Sequence, residues 1–143
     1  MDAPLEPCRN EAKLAAGRSA RVLVVEDDAD IGQVMVALIR HCGHDPLLAA
    51  DGLTALGLAR EFRPDVALLD IGLPGMNGYE LAMRLRRESG LERTRFVALT
   101  GYGDDSDRQL SEQAGFEHHL VKPVTFEILQ RILAESNAGA TAD

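Results

Sequence analysis

The sequence predicts a doubly wound α/β sandwich, a parallel sheet with helices on both of its faces. Three observations carry that prediction. Five short runs rich in Val, Leu, Ile and Ala alternate with segments whose apolar residues fall at helical spacing. The strongest runs are apolar throughout instead of alternating, which is how strands covered on both faces read. Gly, Pro, Asp and Asn gather between the runs, where a chain must turn.

In order, residues 1–19 mix Pro, Glu, Ala, Arg and Gly without a sustained period and read as a flexible leader, with room for a short helix at Glu11 to Ala16. The ordered unit is expected over residues 20–135, with a small-residue tail at 136–143. Arg21 to Val25 is the first strand, and it stops at Glu26-Asp27-Asp28. Asp28 or Asp30 can cap the following helix, whose apolar positions are Ile31, Val34, Met35, Leu38 and Ile39. Gly43 ends it.

Asp45 to Ala49 is a weaker strand holding Pro46, which suits a sheet edge. Asp51 opens a helix through Ala55, Leu58, Ala59 and Phe62, closed by Pro64. Val66 to Asp70 is the third strand. Gly78 to Glu88 is amphipathic, with Leu81 and Leu85 inward and Arg84, Arg86 and Arg87 outward. Phe96 to Leu99 is the fourth strand, running into Thr100. A polar helix at Asp104 to Ala114, capped by Asp104, Asp105 or Ser106, precedes a fifth strand at Glu117 to Val121. Phe126, Leu129, Ile132 and Leu133 mark the last helix. Right-handed crossovers leave few topologies for such a chain, and the flavodoxin-like order 2-1-3-4-5 is the expected one.

Composition narrows the function. A chain of 143 residues, 45% apolar, suits one domain with one core. With two Tyr, four Phe and no Trp, that core must be aliphatic. The formal charge of −8 argues against non-specific binding to nucleic acid or anionic membranes. No apolar run approaches the roughly 20 residues of a spanning helix. No signal-type segment opens the chain, so a cytoplasmic location is expected. Cys8 and Cys42 lack metal-ligand spacing and read as reduced thiols.

Parallel strands send their carboxyl ends to one edge, the usual ligand edge of an open α/β sheet. There the first, third, fourth and fifth strands end in Glu26-Asp27-Asp28, Asp70, Thr100 and Lys122. An acid after a strand is often a helix cap, a Thr a turn residue, and a Lys before Pro a surface group. Four complementary side chains at four strand ends outweigh those separate readings. Clustered carboxylates repel unless a cation joins them. An oxygen-only set suits Mg²⁺. An ionised carboxylate there can attack phosphorus, while a Lys ammonium and a Thr hydroxyl hold the phosphoryl oxygens. The residue types fit an aspartyl-phosphate site.

Taken together and in order, Val24-Val-Glu-Asp27, Asp70-Ile-Gly-Leu-Pro-Gly-Met-Asn-Gly78, Ala98-Leu-Thr-Gly101 and Val121-Lys-Pro123 resemble the receiver domain of two-component response regulators. The resemblance spans roughly Arg21 to Ala134. It implies that Asp70 accepts a phosphoryl group from the phosphohistidine of a histidine kinase or histidine phosphotransfer protein. It also implies Mg²⁺ on Asp27, Asp70 and the Gly72 carbonyl, with Glu26 acting through water. Thr100 and Lys122 would bond phosphoryl oxygens, small Gly101 would leave the phosphoryl group room, and Lys122–Pro123 would be a cis peptide. Asp28 falls one place past the acidic pair and reads as a cap or surface acid. The helix from Ile31 to Arg40 would be the docking face for the phosphodonor.

Three positions depart from the commonest pattern. His119 lies where many receivers carry the aromatic residue that swings inward as Thr100 moves. Gly72 and Tyr102 occupy positions that tune phosphoryl lifetime, and Gly72 offers no side chain for that purpose. The pair His118-His119 is not expected to ligate a metal, because adjacent strand residues face opposite ways. The resemblance is to stand-alone single-domain regulators and to receivers of hybrid histidine kinases, and it implies a monomer or weak dimer. It implies a phosphoacceptor that signals by changed protein affinity, with no turnover of an external substrate. Two alternatives stand beside it. A phosphohydrolase of the haloacid dehalogenase type wants a second acid where this chain has Gly72. A pseudo-receiver would lack one of the key residues, and none is missing.

Overall fold

The computed structural model describes residues 19–101 and 108–142. The leader residues 1–18, with the short helix considered there and Cys8, lie outside the described residues, as do Tyr102, the three candidate caps at 104–106, and Asp143. Five parallel strands, β1 (Arg21–Val25), β2 (Asp45–Ala49), β3 (Val66–Asp70), β4 (Arg95–Thr100) and β5 (Phe116–Val121), alternate with helices. These are α1 (Ala29–His41), α2 (Gly52–Phe62), α3 (Gly78–Arg86), α4 (Arg108–Ala114) and α5 (Phe126–Ala142). The sheet order is β2-β1-β3-β4-β5, the flavodoxin-like order expected.

Strand periodicity sorts the core into two layers. Val22, Val24, Val66, Leu68, Val97 and Leu99 pack on Met35 and Ile39 of α1 and on Leu129 and Leu133 of α5. Leu23, Val25, Ala67, Leu69 and Phe96 pack on Ala55 and Ala59 of α2, Leu81 and Leu85 of α3, and Ala114 of α4. Because β1 and β3 are covered on both sides, they need no polar alternation. Each buried Leu or Val side chain contributes about 1.5–3 kcal/mol.

Local signals set the element ends. Asp28 caps α1, its Oδ1 accepting from the N–H groups of Asp30 at 3.0 Å and Ile31 at 3.1 Å. Asp51 accepts from Thr54 N–H at 2.8 Å, and Asn77 from Glu80 N–H at 2.9 Å. α2 closes on Arg63 in the left-handed region (φ 51°), just before Pro64. Pro46 sits on the edge strand β2, where a missing N–H matters least.

Four details differ from the sequence reading. β5 begins at Phe116, because the register with β4 steps from Phe96↔Phe116 to Val97↔His118 and leaves Glu117 as the extra residue of a bulge. α3 stops at Arg86, with Arg87 as its cap. Arg86 does not face outward: its Nη1 donates to the carbonyls of Leu91, Glu92 and Thr94, and its guanidinium lies 4.2 Å from the Phe96 ring centroid. α5 continues through Ala142, where a tail was expected from 136. The small residues there include Ala138, Ala140 and Ala142, the best helix formers, and Gly139 alone does not interrupt them.

Candidate functional site

The parallel ladders bring the four strand ends to one edge. After β1, the Glu26 N–H bonds the Ala49 carbonyl at 3.0 Å, which carries the ladder one residue further and turns the Glu26 side chain inward. Glu26 is 2% exposed, Asp70 4% and Thr100 4%, while Asp27 faces solvent. Carboxylate oxygens of Glu26, Asp27 and Asp70 lie within 4.8 Å of one another. Buried acids so close require a cation.

Lys122 supplies one. Its Nζ donates to Glu26 Oε1 at 3.1 Å and to Asp70 Oδ2 at 3.2 Å. The remaining oxygens are held by backbone N–H groups: Asp28 donates to Glu26 Oε2 at 3.1 Å, and Gly72 to Asp70 Oδ1 at 2.9 Å. Burial pushes the Glu26 carboxyl above its ordinary range, and the Asp28 N–H and the Lys122 ammonium offset this only in part. Burial also works against the Lys122 charge. Its hydrogen bond to Glu26 and the fields of Asp70 and Glu26 outweigh that, so its pKa sits above the usual lysine value.

Thr100 stands at the same edge, one residue past Leu99, the register partner of Asp70. Its hydroxyl donates to the Leu120 carbonyl at 3.4 Å and so points along β5. The Lys122–Pro123 peptide is cis. Gly78 lets α3 start against the end of β3, since a Cβ there would lie 2.7 Å from the Asp70 carbonyl oxygen.

His118 and His119 face opposite ways. His118 Nε2 lies 2.8 Å from Glu135 Oε1, joining β5 to α5. His119 is exposed, its ring 6.0 Å from that of Phe116.

One feature was absent from the sequence reading. A groove of about 470 Å³ opens beside the acids, between Ile31, Val34 and Met35 of α1 and Lys122, Pro123 and Val124. Val34, one of the apolar positions of that helix, is 58% exposed on its wall. The apolar stripe of α1 is wider than one sheet face needs, and that excess width was the available signal.

An oxygen-only trio of acids thus stands with an ammonium and a hydroxyl at one edge of a parallel α/β sheet. Residues 22–134 match the response regulator receiver domain, and the chain belongs to that family. It is 40% identical over 103 residues to the DNA-binding response regulator MtrA of Mycobacterium tuberculosis, an alignment covering 72% of this chain and 44% of MtrA. The chain thus spans less than half the length of that relative. Among solved structures, the chemotaxis protein CheY4 of Vibrio cholerae superposes with a TM-score of 0.76 at 31% identity, over 82% of this chain and 98% of CheY4. The receiver domain of the sensor histidine kinase PA1611 of Pseudomonas aeruginosa matches with a TM-score of 0.74 at 34% identity, over 83% of this chain and 98% of that one. That domain carries a magnesium ion coordinated in its active-site cleft. Receiver domains are signalling domains that bind Mg²⁺ at an acidic site and interact with histidine kinases and downstream effectors. Among the described residues, no helix is long and apolar enough to cross a membrane.

Proposed function

We propose that this receiver accepts a phosphoryl group on Asp70 from a phosphohistidine of a kinase or phosphotransfer protein, and signals through changed affinity for another protein. The observation that carries this is the bridging of Lys122 Nζ between Glu26 and Asp70. It supports a site arranged for an anion that will need the ammonium more than the resting carboxylates do.

The donor set suits a hard divalent cation: all its ligand atoms are oxygens and three belong to carboxylates. Asp27, Asp70 and the Gly72 carbonyl would hold Mg²⁺, with Glu26 outside them. Mg²⁺, when bound, would supply charge neutralisation for the transferred group. An Asp70 oxygen forms the new O–P bond as the donor's N–P bond breaks. The electron pair goes to the imidazole nitrogen, leaving an acyl phosphate on Asp70. Lys122 shifts to a phosphoryl oxygen. Thr100 gives up the Leu120 carbonyl and turns its hydroxyl toward another. That turn vacates space beside β5, into which His119 can swing, and the two residues act together as the switch.

Incubation with acetyl phosphate and Mg²⁺ should add one phosphoryl mass, and Asp70→Asn should abolish it. An unchanged intact mass at saturating donor and metal would overturn the reading. A phosphohydrolase reading gains nothing here, since position 72 offers only a backbone N–H to Asp70.

A further inference from the structure

Asp28 belongs to none of the ligand or phosphoryl-contact sets above, yet it makes two kinds of bond that face opposite ways. Its carboxylate accepts from Asp30 and Ile31 N–H groups and caps α1. Its own backbone N–H donates to Glu26 Oε2 at 3.1 Å. Glu26 in turn meets Lys122, which meets Asp70, whose second oxygen takes the Gly72 N–H. A continuous path of hydrogen bonds therefore joins the first turn of α1 to the acceptor. Asp30 and Ile31, the residues that Asp28 pins, also line the groove beside the acids.

We infer that Asp28 is a positioning residue: its side-chain cap fixes the backbone at 28 so that the 28 N–H aims Glu26 at the metal site, linking α1 to metal affinity. The physical basis is local. Asp28 has extended backbone (φ −83°, ψ 114°), and the cap holds it there while α1 begins at the next residue. Without the cap, residues 28 and 29 are free to fray, and the N–H direction is no longer set. Glu26, being buried, then loses the N–H that fixes the direction of its Oε2. By linkage, whatever steadies the first turn of α1 should tighten the metal site, and metal should steady that turn.

This inference rests on the proposed function, and its test separates the two. Asp28→Asn and Asp28→Ala remove the same charge, but only Asn keeps a capping oxygen. Mg²⁺ titration by calorimetry should give a Kd for Asp28→Ala about 3- to 10-fold weaker than for Asp28→Asn, with Asn close to the parent apart from a small charge effect. Acetyl phosphate labelling should show the same split, as a raised half-saturating Mg²⁺ concentration whose difference closes at saturating metal. Equal Mg²⁺ affinity in folded Asp28→Asn and Asp28→Ala would overturn the inference, even if Asp28→Ala melts earlier, because a purely structural cap changes stability alone. A parent protein that binds Mg²⁺ and shows the split, but never gains phosphoryl mass, would sink the proposed function and leave this inference standing.

Discussion

Lys122 Nζ lies 3.2 Å from Asp70 Oδ2, although 52 positions separate the two residues in sequence. The ammonium already bonds the proposed acceptor in this structure, and it also satisfies Glu26 at 3.1 Å. It therefore competes with a metal ion for the same carboxylates.

That competition makes Lys122→Gln informative. Without the ammonium, the buried acids repel, and in EDTA the variant should be about 1–3 kcal/mol less stable than the parent in urea titrations. Mg²⁺ should close that gap and bind more tightly to the variant than to the parent. Labelling by acetyl phosphate should fall about 100-fold, since the preorganised charge for a phosphoryl oxygen is gone. Weaker Mg²⁺ binding in the variant would show that Lys122 is no competitor.

Asp51 offers a pH test away from the site. The Thr54 N–H holds its carboxyl below the ordinary value of 3.8. A group whose folded pKa is depressed contributes stability above its unfolded pKa and loses it as pH falls through the folded value. Asp51→Ala should lower Tm by a few degrees at pH 7. The gap should narrow as pH drops below about 3.8. A gap constant from pH 7 down to pH 2.5, followed by circular dichroism melts, would place the effect elsewhere.

Gly78→Ala sets two effects against each other. Alanine would reduce the freedom of the unfolded chain, which favours the folded state by about 0.4–1 kcal/mol. Its Cβ, however, would sit 2.7 Å from the Asp70 carbonyl oxygen and 2.9 Å from Ile71 Cα, both backbone atoms that cannot swing aside. Steric overpacking of about 1–3 kcal/mol should win, and urea midpoints should fall. The variant should also label more slowly, because the strand carrying Asp70 must shift.

How much of this could be read from the chain depends on which interactions decide each feature. The β1 and β3 runs declared a sheet covered on both faces because no polar residue interrupts them. The parallel arrangement then placed Glu26, Asp27, Asp70, Thr100 and Lys122 at one edge by topology alone. What spacing could not show was pairing: that Lys122 bridges Glu26 and Asp70, or that the Asp28 N–H supports Glu26. Nor could it show the bulge at Glu117, which depends on two strands adjusting to each other. Arg86 looked solvated by type, and only the return of the 87–94 segment under α3 gives its guanidinium carbonyls to bind. Val34 fell on the apolar stripe, but the stripe is broader than the sheet face it covers.

Arg86→Lys tests that segment. A guanidinium can serve the Leu91, Glu92 and Thr94 carbonyls while stacking over Phe96, and an ammonium cannot do both. Loss of these charge-assisted hydrogen bonds and of the ring contact should cost about 1–3 kcal/mol in urea titrations. Labelling of Asp70 should be unaffected, because Leu91, Glu92, Thr94 and Phe96, which Arg86 contacts, are not residues of the site. A Lys variant as stable as the parent would reduce Arg86 to an ordinary surface charge.

His119→Phe tests the switch. In the structure His119 is exposed and lies beside Phe116 at a centroid distance of 6.0 Å. Swinging it inward would desolvate an imidazole, which is costly, whereas a phenyl ring gains from the same burial. The Phe variant should therefore label on Asp70 as fully as the parent, yet shift further toward the inward state once labelled. Amide hydrogen exchange in β5 reads this directly: the difference between labelled and unlabelled protein should be larger in the variant. Equal differences in the two proteins would mean that position 119 takes no part in transmitting the signal, and that Thr100 acts through other neighbours of β5.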